Sequence, residues 1–128
     1  MSHLARAALA AVDGIVAAED ADPATRRAAI CLLRLAVEAA VDAVWWDAGR
    51  REVSMASRRA QFLVLPQFRD PGTATAAAAL WSSLSAAGHY HAYELTPTAA
   101  EIADWRDATA ACLAALTGPD GHQSSVAL

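Results

Sequence analysis

The sequence predicts an all-α helical bundle of four to five helices, and three observations carry that prediction. Roughly a quarter of the 128 residues are alanine, the strongest helix former, while β-branched and aromatic residues that would compete are few. Three polar-proline pairs and three glycines fence the longer apolar stretches, as helix starts and stops do. Within the fences, apolar residues recur at intervals of three and four, the spacing of one helix face.

The starts are Asp22-Pro23, Asp70-Pro71 and Thr96-Pro97, where a polar cap precedes a proline whose fixed φ suits the first turn. The stops are Gly49, Gly88 and Gly118-Pro119, where glycine can take the left-handed conformation that ends a helix. These marks place helices at about 3–18, 23–48, 54–65, 71–87 and 97–117. Residues 1–117 read as one helical-bundle domain, since the chain is long enough for one core only. Residues 118–128, rich in glycine and serine, read as a loose tail.

The second helix is the most informative. Its apolar positions from Ala28 to Trp46 run nearly all the way round and leave Arg27, Arg34, Glu38 and Asp42 as a narrow polar stripe. Such a helix lies at the centre of a bundle or at a dimer interface. Arg34 and Glu38, four apart, are spaced to pair along its surface. The last helix has the one-sided pattern, with Ile102, Trp105, Cys112, Leu113 and Leu116 inward and Asp104, Arg106 and Asp107 outward. In the helix before it, the run Ala76 to Ala79 would let another helix, or a second copy, approach closely. Trp45 and Trp46 occupy adjacent positions, so at most one points squarely inward; the other covers a groove or an interface.

Composition narrows the function classes. No stretch approaches the about 20 uninterrupted apolar residues that cross a bilayer, because Arg34, Glu38 and Asp42 interrupt the longest run. Asp13 and Gly14 break up the apolar core that a signal peptide would need, so the expected location is cytoplasmic. Cys31 and Cys112, without disulfide-framework or metal spacing, are expected as small buried hydrophobes. The net charge of −4 argues against a general nucleic-acid coat. That charge is uneven, however: residues 49–69 hold five arginines against one glutamate. This basic patch, Arg50, Arg51, Arg58, Arg59 and Arg69, could offer guanidinium forks to a nucleotide or RNA, or could pair with acids of the first and last helices. Phe62 and Phe68 beside it suit the core better than a stacking platform.

The densest chemical cluster is the connector Gly88-His89-Tyr90-His91-Ala92-Tyr93-Glu94-Leu95. If extended, it sends His89, His91 and Tyr93 to one side and Tyr90 and Glu94 to the other. Two imidazoles on one side are suited to acid-base work, or they pack the loop through bonds to backbone carbonyls. A metal would need further ligands that no other His or Cys is placed to supply, so no metal or cofactor is expected. No glycine-rich phosphate loop, GxSxG elbow, HExxH helix or CxxC pair is present.

The order of parts resembles the HEPN superfamily of small bacterial helical bundles. The resemblance rests on the long alanine-rich second helix ending in Trp45-Trp46, and on Ser85-Ala86-Ala87-Gly88-His89-Tyr90-His91 followed by Tyr93-Glu94-Leu95-Thr96-Pro97 before the last helix. It covers most of the chain by pattern. Active members of that family carry an arginine a few positions before the histidine, and two subunits join these in a dimer cleft. The corresponding stretch here, Trp81-Ser82-Ser83-Leu84-Ser85-Ala86, has none. The resemblance therefore implies a dimer in a toxin, antitoxin or defence setting, where non-catalytic members bind nucleotides, nucleic acid or partner proteins.

Three functions follow as expectations. The leading one is a non-enzymatic, dimeric binding or regulatory module. The second is an RNA-cleaving toxin in which His89 or His91 works with Arg58 or Arg59. The third is a small-molecule pocket lined by Trp45 or Trp46 with Tyr90, Tyr93 and Glu94 nearby, anchored by Glu38 or Asp42.

Overall fold

The structure, a computed structural model, describes residues 2–89 and 95–118. Tyr90, His91, Tyr93, Glu94 and the tail beyond Gly118 lie outside the described residues. Six α-helices make up the fold among the described residues, and no strand occurs there. They are α1 (His3–Ala17), α2 (Pro23–Ala48), α3 (Arg51–Ser54), α4 (Arg58–Val64), α5 (Pro71–Ala87) and α6 (Ala99–Thr117). A 3₁₀ turn, Leu65–Gln67, follows α4.

Local chemistry sets most of these boundaries. Asp22 caps α2 by accepting from the Thr25 amide at 2.7 Å, and Asp70 caps α5 by accepting from the Thr73 amide at 3.0 Å. Each is followed by its proline. The last helix starts two residues later than Thr96-Pro97 predicts. The reason is a reciprocal capping box: the Thr98 hydroxyl accepts from the Glu101 amide at 3.1 Å, and the Glu101 carboxylate accepts from the Thr98 amide at 3.0 Å. The helix expected at about 54–65 is instead split. Ser57 accepts from the Ala60 amide and starts α4 afresh, and Pro66, which has no N–H, sits in the 3₁₀ turn that closes the segment.

The glycine stops need correction in the same way. Only Gly49 is left-handed, at φ +67°; Gly88 and Gly118 have φ −77° and −74°. Gly88 ends α5 for a different reason. A Cβ there would stand 3.2 Å from the Leu84 carbonyl oxygen, so glycine relieves crowding against the last turn of α5 itself; the 3.6 Å to Ile30 Cγ2 of α2 is ordinary contact.

The core forms around α2, which packs against α1, α5 and α6 at once. Ile30, Leu33, Val37, Val41 and Val44 are buried on it, facing Val12 of α1, Leu84 of α5 and Ile102 and Leu113 of α6. Most of the expected inward face of the last helix is buried, with Trp105 half-buried against the core. Arg106 does look outward, but it reaches across to α1, donating to both carboxylate oxygens of Asp13 at 2.7 and 3.0 Å.

The remaining face of α2 is open, and it is wider and more apolar than the expected charged stripe. Ala24, Ala28, Cys31, Leu35, Asp42 and Trp46 are all exposed on it. Cys31 therefore departs from the expected buried thiol, because it shares this face with Leu35 and Asp42, four and eleven residues on. Cys112 on α6 is buried, and burial pushes its thiol up to about 11. No helix among the described residues is long and apolar enough to cross a membrane.

Candidate binding surface

The C-terminal half of α2 carries Trp45 and Trp46 together with Glu38 and Asp42, the two acids expected to anchor a pocket. Its two tryptophans divide as their adjacency requires. Trp45 is fully buried, edge-on to Phe68 at 5.4 Å between ring centroids, while Trp46 is 86% exposed. Asp42, Trp45, Trp46, Gly49, Arg51 and Ser54 line a cleft of about 480 Å³ here. The left-handed Gly49 makes it possible: α2 stops abruptly and the chain folds back as α3, leaving Trp46 standing over the break.

Behind the cleft lies a polar belt that ties α4 and α5 to α2. Gln61, 2% exposed, uses its whole amide. Its oxygen accepts from Trp45 Nε1 at 3.1 Å and Arg58 Nη1 at 2.9 Å, and its nitrogen donates to the carbonyls of Ala56 at 2.9 Å and Ser54 at 3.3 Å. Arg58 also donates to both oxygens of Asp42, at 2.6 and 3.1 Å, and its Nε lies 3.8 Å from Glu38. The Asp42 hydrogen bond raises the Arg58 guanidinium above its ordinary value. Glu38 accepts from Trp81 Nε1 at 2.9 Å. The expected Arg34–Glu38 pair does not form: Glu38 turns toward α4 and α5, and Arg34 makes no ion pair among the described residues.

The basic patch is divided among separate tasks. Arg58 is held by the belt, and Arg69 donates to the carbonyls of Leu116 and Phe68 at 2.8 and 2.7 Å. Arg50 lies over the Phe68 ring at 5.7 Å and beside Glu52 at 3.7 Å. Arg51 and Arg59 are exposed. Among the described residues, the acids that engage Arg50 and Arg58 sit on α3 and α2, whereas the sequence left open a pairing with acids of the first and last helices. Phe62 is buried and stacks at a tilt on Trp81, 5.2 Å between centroids, in keeping with a core role.

Of the connector, only Gly88, His89 and Leu95 are described, and His89 is exposed. Gly88 lies against Ile30 on α2, whereas Arg58 is held at Asp42, twelve residues further along. That separation is about 18 Å along the helix axis at 1.5 Å per residue. The guanidinium beside the other end of the connector belongs to Arg27, whose Nη2 donates to Thr96 Oγ1 at 3.3 Å. Sequence reasoning gave Arg27 only a place in the polar stripe and passed over Gln61 altogether. A lone glutamine after Arg58 and Arg59 carries no signal of burial.

Among the described residues, no three His, Cys, Asp or Glu side chains converge as a metal site would require. No protein family, curated protein or solved structure matches this chain.

Proposed function

We propose that this chain is a non-enzymatic, dimeric helical-bundle module that works by binding, with the open face of α2 and its Trp46 cleft as the contact surface. The single observation that supports it best is Trp46 at 86% exposure on a helix whose neighbouring residue, Trp45, is completely buried. An indole left in water at the mouth of a cleft, with Leu35 further along the same face, is the kind of large apolar anchor around which interfaces form. The HEPN-like order of helices extends the reading to a bacterial toxin, antitoxin or defence setting. Sedimentation velocity from about 1 to about 200 μM brackets the affinity of a small interface. The expected result is a shift from monomer to dimer across that range; a monomer throughout would contradict the dimeric reading.

Arg27 favours one competing reading, an RNA-cleaving toxin built on the histidine connector. There the electrostatic partner of His89 would be Arg27, held beside Thr96, rather than Arg58, which the belt already occupies. Cleavage lost in His89→Ala and Arg27→Ala but kept in Arg59→Ala would support this reading. A small-molecule role for the cleft would use Trp46 and Asp42, whose side chain is 54% exposed, rather than Glu38, which Trp81 occupies.

A further inference from the structure

We infer that the open face of α2 docks against the same face of a second copy, antiparallel, so that Trp46 of each copy enters the depression beside Cys31 of the other. The inference rests on the dimeric reading above and specifies its geometry. Two independent features of the face carry it.

The first is shape. At one end of the face Trp46 projects; toward the other, Ala28, Cys31, Leu32, Arg34, Leu35 and Glu38 border a shallow depression of about 430 Å³. Ala28 and Cys31 are the small side chains that leave this room on an exposed helix surface. Knob and hole therefore occupy one helix face, centred fifteen residues apart at Trp46 and Cys31, or about 22 Å along the axis at 1.5 Å per residue. A two-fold axis midway between them, near Glu38 and Ala39, places each knob over the other copy's hole. Such self-complementarity is what an isologous dimer requires.

The second is charge order. All three basic residues of α2, Arg26, Arg27 and Arg34, precede all three of its acids, Glu38, Asp42 and Asp47. A parallel pairing would set Arg34 against Arg34 and Asp42 against Asp42. The antiparallel pairing instead brings Arg34 of one copy toward Asp42 of the other. Asp42 already accepts from Arg58, yet its side chain stays 54% exposed, and a carboxylate offers about four acceptor positions. Antiparallel helices also oppose their dipoles: Asp22 offsets the N-terminal end of α2, but no base in its last turn offsets the C-terminal end. In this register the two helices overlap over residues 29–48, about 30 Å, and at about 10 Å width the strip covers on the order of 300 Å² per copy. That is the low end of interface size, so the dimer is weak and salt-sensitive.

The test is complementation between two variants at exposed positions that leave the core untouched. Trp46→Ala removes the knob and Ala28→Phe fills the hole. Each variant alone is expected to dissociate at least tenfold more readily than the unaltered chain. An equimolar mixture regains association, because the heterodimer keeps one intact contact: the Trp46 of the Ala28→Phe chain in the open hole of the Trp46→Ala chain. Dimers undiminished in both variants, or a mixture no better associated than either alone, would overturn this geometry while leaving the dimeric reading standing. A monomeric unaltered chain at about 200 μM, well above the range of a micromolar interface, would remove both.

Discussion

Two cysteines and two adjacent tryptophans show how strongly one position's environment can differ from the next. Cys31 is exposed on the open face of α2, while Cys112 is buried in α6, where desolvation disfavours its thiolate and lifts the thiol to about 11. A thiol-specific reagent at pH 8 is therefore expected to modify one cysteine per native chain and two in denaturant; rapid modification of both in the native state would contradict the assigned burial. The sign of the associated pH effect is fixed as well. Because the folded chain holds the Cys112 proton more tightly than the unfolded one, this group's contribution is complete below the ordinary thiol value of 9.0 and is lost as pH rises toward about 11. The tryptophans give a sharper contrast. Trp45→Ala is expected to cost about 3–5 kcal/mol, the range for emptying an aromatic core site. Trp46→Ala is expected to change monomer stability by less than about 0.5 kcal/mol, as exposed substitutions do. Denaturant titration of both variants measures the difference, and equal losses would mean that the two rings share one environment.

At the scale of the element, α2 and α5 were legible because a polar-proline start and a glycine stop fence a long run of helix-forming residues. Asp22-Pro23 and Asp70-Pro71 start α2 and α5 as read, and Gly49 ends α2 in the left-handed conformation. The short elements were not legible, since a helix as brief as α3 or α4 is held by tertiary contacts more than by its own composition. Ser57 and the Thr98–Glu101 capping box were visible as residue types, but the nearby Thr96-Pro97 start competed with the capping box, and no cap was read for the helix expected at about 54–65. What fixes α4 is Gln61, whose four hydrogen bonds reach Trp45, Arg58 and the carbonyls of Ala56 and Ser54. Gln61→Leu keeps the volume and removes every one of these partners. It leaves the buried Trp45 N–H unsatisfied, and a loss of about 1–3 kcal/mol is expected in thermal or denaturant unfolding. A neutral outcome would show that the belt does not hold α4 in place.

At the scale of the whole molecule, the central position of α2 followed from an apolar pattern that runs round the helix, and α1, α5 and α6 do pack around it. The same all-round pattern concealed which face stays open. Where nearly every position is apolar, periodicity has no amplitude, so Cys31 and Leu35 could not be told from Leu33 and Val37. The candidate surface was legible only in part. The divided roles of Trp45 and Trp46 followed from adjacency, whereas the cleft depends on where α3 folds back, and the redistribution of Arg58 and Arg69 depends on long-range partners. The α2 face bearing Trp46 and Leu35 is expected to be covered when the protein associates. Hydroxyl-radical footprinting read by mass spectrometry, at about 1 and about 200 μM, tests this residue by residue across the affinity range of a small interface. Trp46 and Leu35 are expected to lose reactivity at the higher concentration while the exposed Leu4 of α1 keeps its own. Unchanged labelling of Trp46 in a sample that sediments as a dimer would contradict the claim.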